Sequence, residues 1–226
     1  MTVKDLMRPI PGVRQLASLR HRLRHPDPFT GSADYWERRY AGGGTSGSGS
    51  YGAAGRYKAE FLNAFVREHD VRSVIELGCG DGHVLSLVQY PSYVGLDVSS
   101  TAIETCLRQF ADDPAKSFIL YDGFSFPERD GYRLTADMTL SLDVILHLVE
   151  DSVFEAYMTD LFKSADRYVI VYSTNAAIPD DGPHVRHRDF SSWVARNFSQ
   201  WHLSQVAKGP DLADFFVYER INGGRR

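Results

Sequence analysis

From residue 57 onward the spacing of apolar residues changes repeatedly, and each change marks an element. Phe61, Leu62, Phe65 and Val66 recur at helical spacing within 57–69, which predicts an amphipathic helix. VRSVIEL (71–77) is a short apolar run closed by the turn GCGDG, read as a buried strand, and HVLSLVQ predicts the start of a helix behind it. SYVGLDV (92–98) is a second strand, and SSTAIETCLRQF (99–110) carries a serine N-cap signature with Glu104 inside its first turns. KSFILYDG (116–123) predicts the third strand and its turn, and ADMTLSLDVI (136–145) the fourth. A helix over 151–164 leads to a fifth strand, RYVIVYST (167–174). A helix over 189–197 then precedes SQWHLSQVA and ADFFVYERI, two runs separated by GPDL that read as a hairpin.

Strands alternating with helices call for a parallel sheet covered on both faces. The expected architecture is α/β, a Rossmann-like, doubly wound, seven-stranded and mostly parallel sheet with a C-terminal antiparallel hairpin. Ligands on such sheets bind beyond the carboxyl ends of the strands.

The first 56 residues differ, and we expect an N-terminal arm and glycine-rich segment over 1–56 and the α/β domain over 57–226. Between residues 6 and 26 stand five arginines, two histidines and no acid. This stretch reads as a solvated arm with one helix near 12–24, as a contact for an acidic partner or membrane surface, as a dimerisation segment or as a transit peptide. In 41–55, AGGGTSGSGSYGAAG, seven of fifteen residues are glycine. A flexible linker and a closing loop over a ligand both fit, and the aromatic flanks ADYWERRY and YGAAGRYKAEF favour the loop. Tyr51 and Gly52 sit where it returns to the next helix.

Composition narrows the class. The 226 residues are 43% hydrophobic and 24% charged, an ordinary globular balance. A net charge of −4 gives no global basic field for a nucleic-acid backbone, so a nucleic-acid partner is not expected, although the arginine-rich arm keeps that reading open. The chain has no long uncharged apolar run, so no membrane span is expected, and two cysteines build no disulfide framework. A cytoplasmic location is the expectation.

The chemistry begins at VIELGCGDG (74–82), where Gly78, Gly80 and Gly82 follow a strand. Such a turn lets a nucleotide-like ligand approach the backbone. The next strand ends at Asp97, 19 residues after Gly78, where a carboxylate can accept both hydroxyls of a ribose. The dinucleotide spacing would need glycine at 83, where His83 stands, and Glu76 is awkward beside a pyrophosphate. Acidic surroundings suit a cationic ligand with a ribose and an amino-acid tail, which points to S-adenosyl-L-methionine (SAM).

VIELGCGDG, LDVSSTAI, YDG and LSLDVILHL stand in order on successive strand ends. In these motifs the chain, over about 58–220, resembles the class I, seven-stranded SAM-dependent methyltransferases. A closing loop would bring Tyr51 and Gly52 to the cofactor and the charge argument adds Glu76, while the resemblance implies that Gly78, Cys79 and Gly80 line its methionine part. Asp97 would hold the ribose, Val98 would pack on the adenine, and Asp122 and Gly123 would meet the adenine edge. Ser141 and Leu142 would touch the amino-acid end or the acceptor. Residues 35–56, HLVED and GPHVRHR further resemble compact bacterial sugar O-methyltransferases, such as the mycobacterial enzymes that methylate mannosides in methylmannose polysaccharide synthesis.

A hydroxyl acceptor needs a base or a metal near the methyl group. Asp143 and His147 are four residues apart, so His147 is the candidate base with Asp143 orienting it. Asp143, His147, Glu150 and Asp151 also form a possible Mg²⁺ set, and a structural role for His147 fits as well. Some quinone-precursor methyltransferases resemble this stretch and hold a metal there, but Leu146 stands where their pattern has a second acid. In DDGPHVRHRDF (180–190), His184, His187 and Arg188 are candidate acceptor-binding residues, and a polar surface loop is the alternative. Trp36 or Trp193 can stack on a sugar face. The expected activity is O-methyl transfer to a small polar acceptor, a carbohydrate, and a homodimer fits as a further partnership. The alternatives are an amine or phenol acceptor, or SAM binding without transfer.

Overall fold

A computed structural model describes residues 29–122, 126, 128–129, 132–176, 178–179 and 182–221. The readings made on the arginine-rich arm and on Gly123 lie outside the described residues. The chain divides into two compact units, Met1–Thr30 and Gly31–Arg226, and everything below concerns the second. That unit begins at Gly31 rather than at 57. It includes α1 (Ser32–Ala41) and α2 (Gly52–Glu68), which runs five residues further back than the apolar spacing predicts.

The strands are β1 (Val74–Leu77), β2 (Tyr93–Asp97), β3 (Lys116–Leu120), β4 (Ala136–Leu142), β5 (Ala165–Ser173), β6 (Trp201–Ala207) and β7 (Asp214–Arg220). They form one seven-stranded sheet in the order β3-β2-β1-β4-β5-β7-β6. All neighbours from β3 to β5 are parallel, and β7 is antiparallel to both β5 and β6, as expected from the sequence. The remaining helices are α3 (Ser100–Gln109), α4 (Asp151–Lys163) and α5 (Phe190–Asn197), and a two-residue ribbon pairs Glu128–Arg129 with Tyr132–Arg133.

Period-two alternation along the strands builds a core on each face. Met138, Leu140, Tyr168, Ile170 and Tyr172 pack toward Leu62, Phe65 and Val66 of α2. Ile75, Leu77, Val169 and Val171 pack toward Phe154, Met158 and Leu161 of α4. The Ser99 side chain caps α3 by accepting from Ala102 N at 3.1 Å, and Asp189 caps α5 through Ser192 N.

One expected element is missing. HVLSLVQ forms a single 3₁₀ turn, Leu85–Leu87, instead of a helix. Ser86 Oγ donates to the His83 carbonyl at 2.6 Å, a local bond that competes with helix propagation. Asn63 of α2 accepts from Gln89 N at 2.9 Å and donates to the Leu87 carbonyl at 3.0 Å, ending the turn from outside. Among the described residues, no helix is long and apolar enough to cross a membrane.

Candidate active site

The glycine turn leaves β1 at Gly78, whose N–H donates to the Leu96 carbonyl of β2 at 2.7 Å. Gly78 has φ 81°, and a Cβ there would stand 2.5 Å from Val144 Cγ2. Gly80 has φ 57°, and a Cβ there would collide with Ser46 Oγ. Both positions therefore require glycine. The Gly80 N–H donates to Asp97 Oδ2 at 2.8 Å and Ser99 N–H to Oδ1 at 2.9 Å, so the carboxylate ending β2 is fixed against the turn. Burial pushes the Asp97 carboxyl up to about 6, against the pull of these backbone donors. Glu76 is also buried, accepts from Tyr93 Oη at 2.6 Å, and is raised by burial to about 7. A backbone cradle with two buried carboxyls fits a cation carrying a ribose, as SAM does.

The glycine-rich segment lies over this turn. Ser46 N–H donates to Asp81 Oδ2 at 2.8 Å, Asp81 N–H donates to Ser46 Oγ at 3.1 Å, and Tyr40 Oη pairs with Ser46 Oγ at 2.9 Å. Tyr51 Oη donates to Asp81 Oδ2 at 2.9 Å, and its ring stacks on His83 with centroids 3.9 Å apart. Gly52 has φ 60°, a conformation that lets the chain enter α2 directly after Tyr51. Helix α1 is tied down at its first residue and at its middle. Ser32 binds Glu150, and Glu37 accepts from Ser99 Oγ at 2.6 Å and Thr101 Oγ1 at 2.7 Å. These two hydroxyl bonds hold the Glu37 carboxyl below its ordinary range. Neither Glu37 nor Asp81 was singled out in the sequence, although an acid inside the glycine turn was a visible signal for Asp81.

At the end of β4 the chain turns sharply. Asp143 adopts φ 57° and donates its N–H to the Tyr172 carbonyl at 2.8 Å, and Ile145–His147 form a 3₁₀ turn. A cavity of about 420 Å³ opens here, bordered by Tyr35, Trp36, Asp143, His147, His184 and His187. His147 Nδ1 lies 2.9 Å from the His184 carbonyl. A carbonyl only accepts, so Nδ1 carries the proton and Nε2 the lone pair of the neutral ring. Burial lowers the His147 pKa from its ordinary value. Trp36 meets the ring edge-on at 5.0 Å, and His184 stacks between Tyr35 at 4.5 Å and His147 at 5.6 Å. His187 Nδ1 pairs with Thr174 Oγ1 at 2.7 Å.

Several expected arrangements differ in the structure. Asp143 does not orient His147 through Nδ1, because that nitrogen is engaged by the His184 carbonyl and the Asp143 carboxylate is paired with Lys58. Arg188 is a strut rather than a cavity group. It bonds Asp151 at 2.6 Å and the Leu148 and Val149 carbonyls at 3.0 Å, over the ring of Phe154. Ser141 is fully buried with its hydroxyl 2.8 Å from Tyr157 Oη, a core group rather than a contact for an amino-acid tail, and Leu142 joins the α2-facing core. Trp193 packs on Phe154 and Phe198 in the core, whereas Trp36 borders the cavity. Val98 is half-buried and Asp122 is exposed.

The Mg²⁺ set does not assemble. Glu150 is held by Ser32, Asp151 by Arg186 and Arg188, and Asp143 by Lys58. Among the described residues, no group of three or more His, Cys, Asp or Glu is placed to hold a metal. The residues present do not fit that ion.

Residues 75–169 match the family model described as a methyltransferase domain. A small RNA 2'-O-methyltransferase of Rattus norvegicus is 27% identical over 168 residues, covering 67% of this chain and 42% of the relative. The Arabidopsis thaliana protein of the same name is 25% identical over 175 residues, covering 65% of this chain and 18% of the relative. The chain thus spans less than half the length of these curated relatives. Among solved structures, the N-methyltransferase NodS from Bradyrhizobium japonicum superposes with TM-score 0.65 at 11% identity, covering 84% of this chain and 98% of that one. The magnesium protoporphyrin IX methyltransferase from Synechocystis superposes with TM-score 0.57 at 15% identity, covering 92% of this chain and 93% of that one. The first of those structures holds S-adenosyl-L-homocysteine and the second SAM. Residues 75–169 thus match a methyltransferase-domain model, and the chain has the Rossmann-like, seven-stranded α/β fold seen in SAM-dependent methyltransferases.

Proposed function

We propose that the chain transfers a methyl group from SAM to a hydroxyl of a small polar acceptor, a sugar or glycoside. When bound, SAM supplies an electrophilic methyl group. Glu76, Gly78, Cys79, Gly80 and Asp97 would hold it, with Val98, Asp122 and Gly123 toward the adenine. The observation that carries the reading is His147, a buried imidazole whose Nδ1 proton is committed to a carbonyl and whose other nitrogen is basic. In this reading Nε2 would take the hydroxyl proton of the acceptor, whose oxygen would gain the methyl group given up by the sulfonium, leaving S-adenosylhomocysteine. The aromatic rings of Tyr35 and Trp36 beside the cavity suit the apolar face of a sugar, and His184 and His187 its hydroxyls.

A second reading has a specific support. The curated relatives are named for the 2'-hydroxyl of RNA, which is also a sugar hydroxyl. A panel of methyl glycosides, beginning with methyl α-D-mannopyranoside, and short single-stranded RNA separates the two. Methyl transfer to a glycoside supports the first reading, and transfer to RNA alone replaces it.

Two further outcomes are expected. The acid limb of kcat/KM reports protonation of the base, and His147 is lowered from its ordinary 6.5, so the rate should hold to below that pH before falling. A limb above 6.5 assigns it to another group. Shortening the 42–50 segment removes the contacts of Ser46 with Asp81, so the SAM concentration for half-maximal rate should rise at least about threefold. Unchanged kinetics would return that segment to the role of linker.

A further inference from the structure

Helix α2 buries Gly55, Lys58, Ala59, Leu62, Phe65 and Val66, a stripe with helical spacing. A lysine in that stripe is costly unless its charge is matched. Lys58 is 0% exposed. Its ammonium pairs with the Asp143 carboxylate and lies 4.7 Å from the centre of the Tyr172 ring. Asp143 is the residue that ends β4 in a left-handed conformation, and it borders the cavity. On the other side of the pair, a Cβ at Gly49 would stand 2.9 Å from Asp143 Oδ2 and 4.0 Å from Lys58 Nζ. The glycine-rich segment, α2, β4 and β5 therefore meet at one ion pair.

We propose that Lys58 is a positioning residue for methyl transfer: its buried ammonium clamps the Asp143 carboxylate at the edge of the acceptor cavity and so sets the turn that carries His147. The proposal rests on the reading of His147 as the base. The Coulomb attraction of a buried ammonium supplies what the strained backbone at Asp143 needs to persist. Lys58 also favours the ionised form of the buried Glu76.

The test uses Lys58→Met, Lys58→Arg, Asp143→Asn and the Lys58→Met/Asp143→Asn double variant, each first shown to be folded by its melting transition. Amide hydrogen exchange over 143–147 needs no acceptor. It is expected to rise at least tenfold in Lys58→Met and to stay near wild type in Lys58→Arg, with 74–77 unchanged in both. With methyl α-D-mannopyranoside as the acceptor probe, Lys58→Met is expected to lower kcat at least tenfold while the SAM dissociation constant moves less than threefold. The double variant should be no slower than Asp143→Asn, because the two residues act through one contact. Unchanged exchange over 143–147 overturns the proposal, and so does a double variant whose kcat loss is the product of the single losses. Failure of the wild type to methylate the probe or RNA counts against the proposed function, while the exchange experiment still decides whether Lys58 clamps the turn.

Discussion

Replacing His147 by alanine is expected to lower kcat by about 10²- to 10⁴-fold, the usual contribution of a positioned general base. The size follows from the geometry. The ring is fixed by a 2.9 Å bond to the His184 carbonyl and by contacts with Trp36 and His184, so its basic nitrogen is held in one orientation. Burial keeps the ring neutral near pH 7, ready to accept a proton. Among the described residues, His147 makes no hydrogen bond to Gly78, Gly80 or Asp97 of the proposed cofactor site, so SAM affinity measured by calorimetry should stay within about twofold of wild type, far less than the loss of one hydrogen bond to a charged group. Retention of more than about a tenth of wild-type kcat would remove His147 from the role of base. A parallel loss of SAM affinity would instead make it a structural residue of the cleft.

Replacing Asp97 by alanine is expected to weaken SAM binding by about 1–3 kcal/mol, roughly 5- to 150-fold. Its carboxylate is already ordered by the Gly80 and Ser99 amides, so little entropy is lost when a ribose takes up its remaining acceptor capacity. The pH dependence has a definite sign. Burial raises the Asp97 carboxyl to about 6, so the folded chain binds a proton more readily than the unfolded one. The cost of burying the ionised form grows as pH rises from the ordinary value of 3.8 through about 6, and above that the fold carries it in full. The ionised form is also the better acceptor for ribose hydroxyls. SAM affinity is therefore expected to fall as pH drops through about 6, and this fall should vanish in Asp97→Ala. Calorimetry at pH 5.5 and 7.5 on both proteins checks it.

The sheet was legible because parallel strands buried on both faces read as apolar runs and the hairpin is punctuated by GPDL. The strand ends were legible too, which is why the glycine turn was placed after β1, Asp97 at the end of β2 and the Asp143–His147 turn after β4. Side-chain partnerships were not, because they join distant parts of the chain. Ser32 meets Glu150 across 118 residues and Lys58 meets Asp143 across 85. Periodicity reports which face of an element is apolar and carries no information on such pairs. Arg188 shows the consequence: two positively charged neighbours in a polar loop suggest anion binding, but its guanidinium closes the carbonyl ends of the turn after His147. Lys58 left one local trace, a charge within an apolar stripe, but nothing in that trace points to Asp143 as its partner. HVLSLVQ failed for a different reason, since its seven residues are too few to propagate a helix against the Ser86 and Asn63 bonds that compete for its backbone.

The most direct measurement is a crystal structure of the wild-type protein with saturating S-adenosylhomocysteine. Density for the ribose against Asp97, with the amino-acid part along Gly78–Gly80, is the expected result. Full occupancy at any other place, or none at saturation, would contradict the assignment of the glycine turn and Asp97 as the cofactor site.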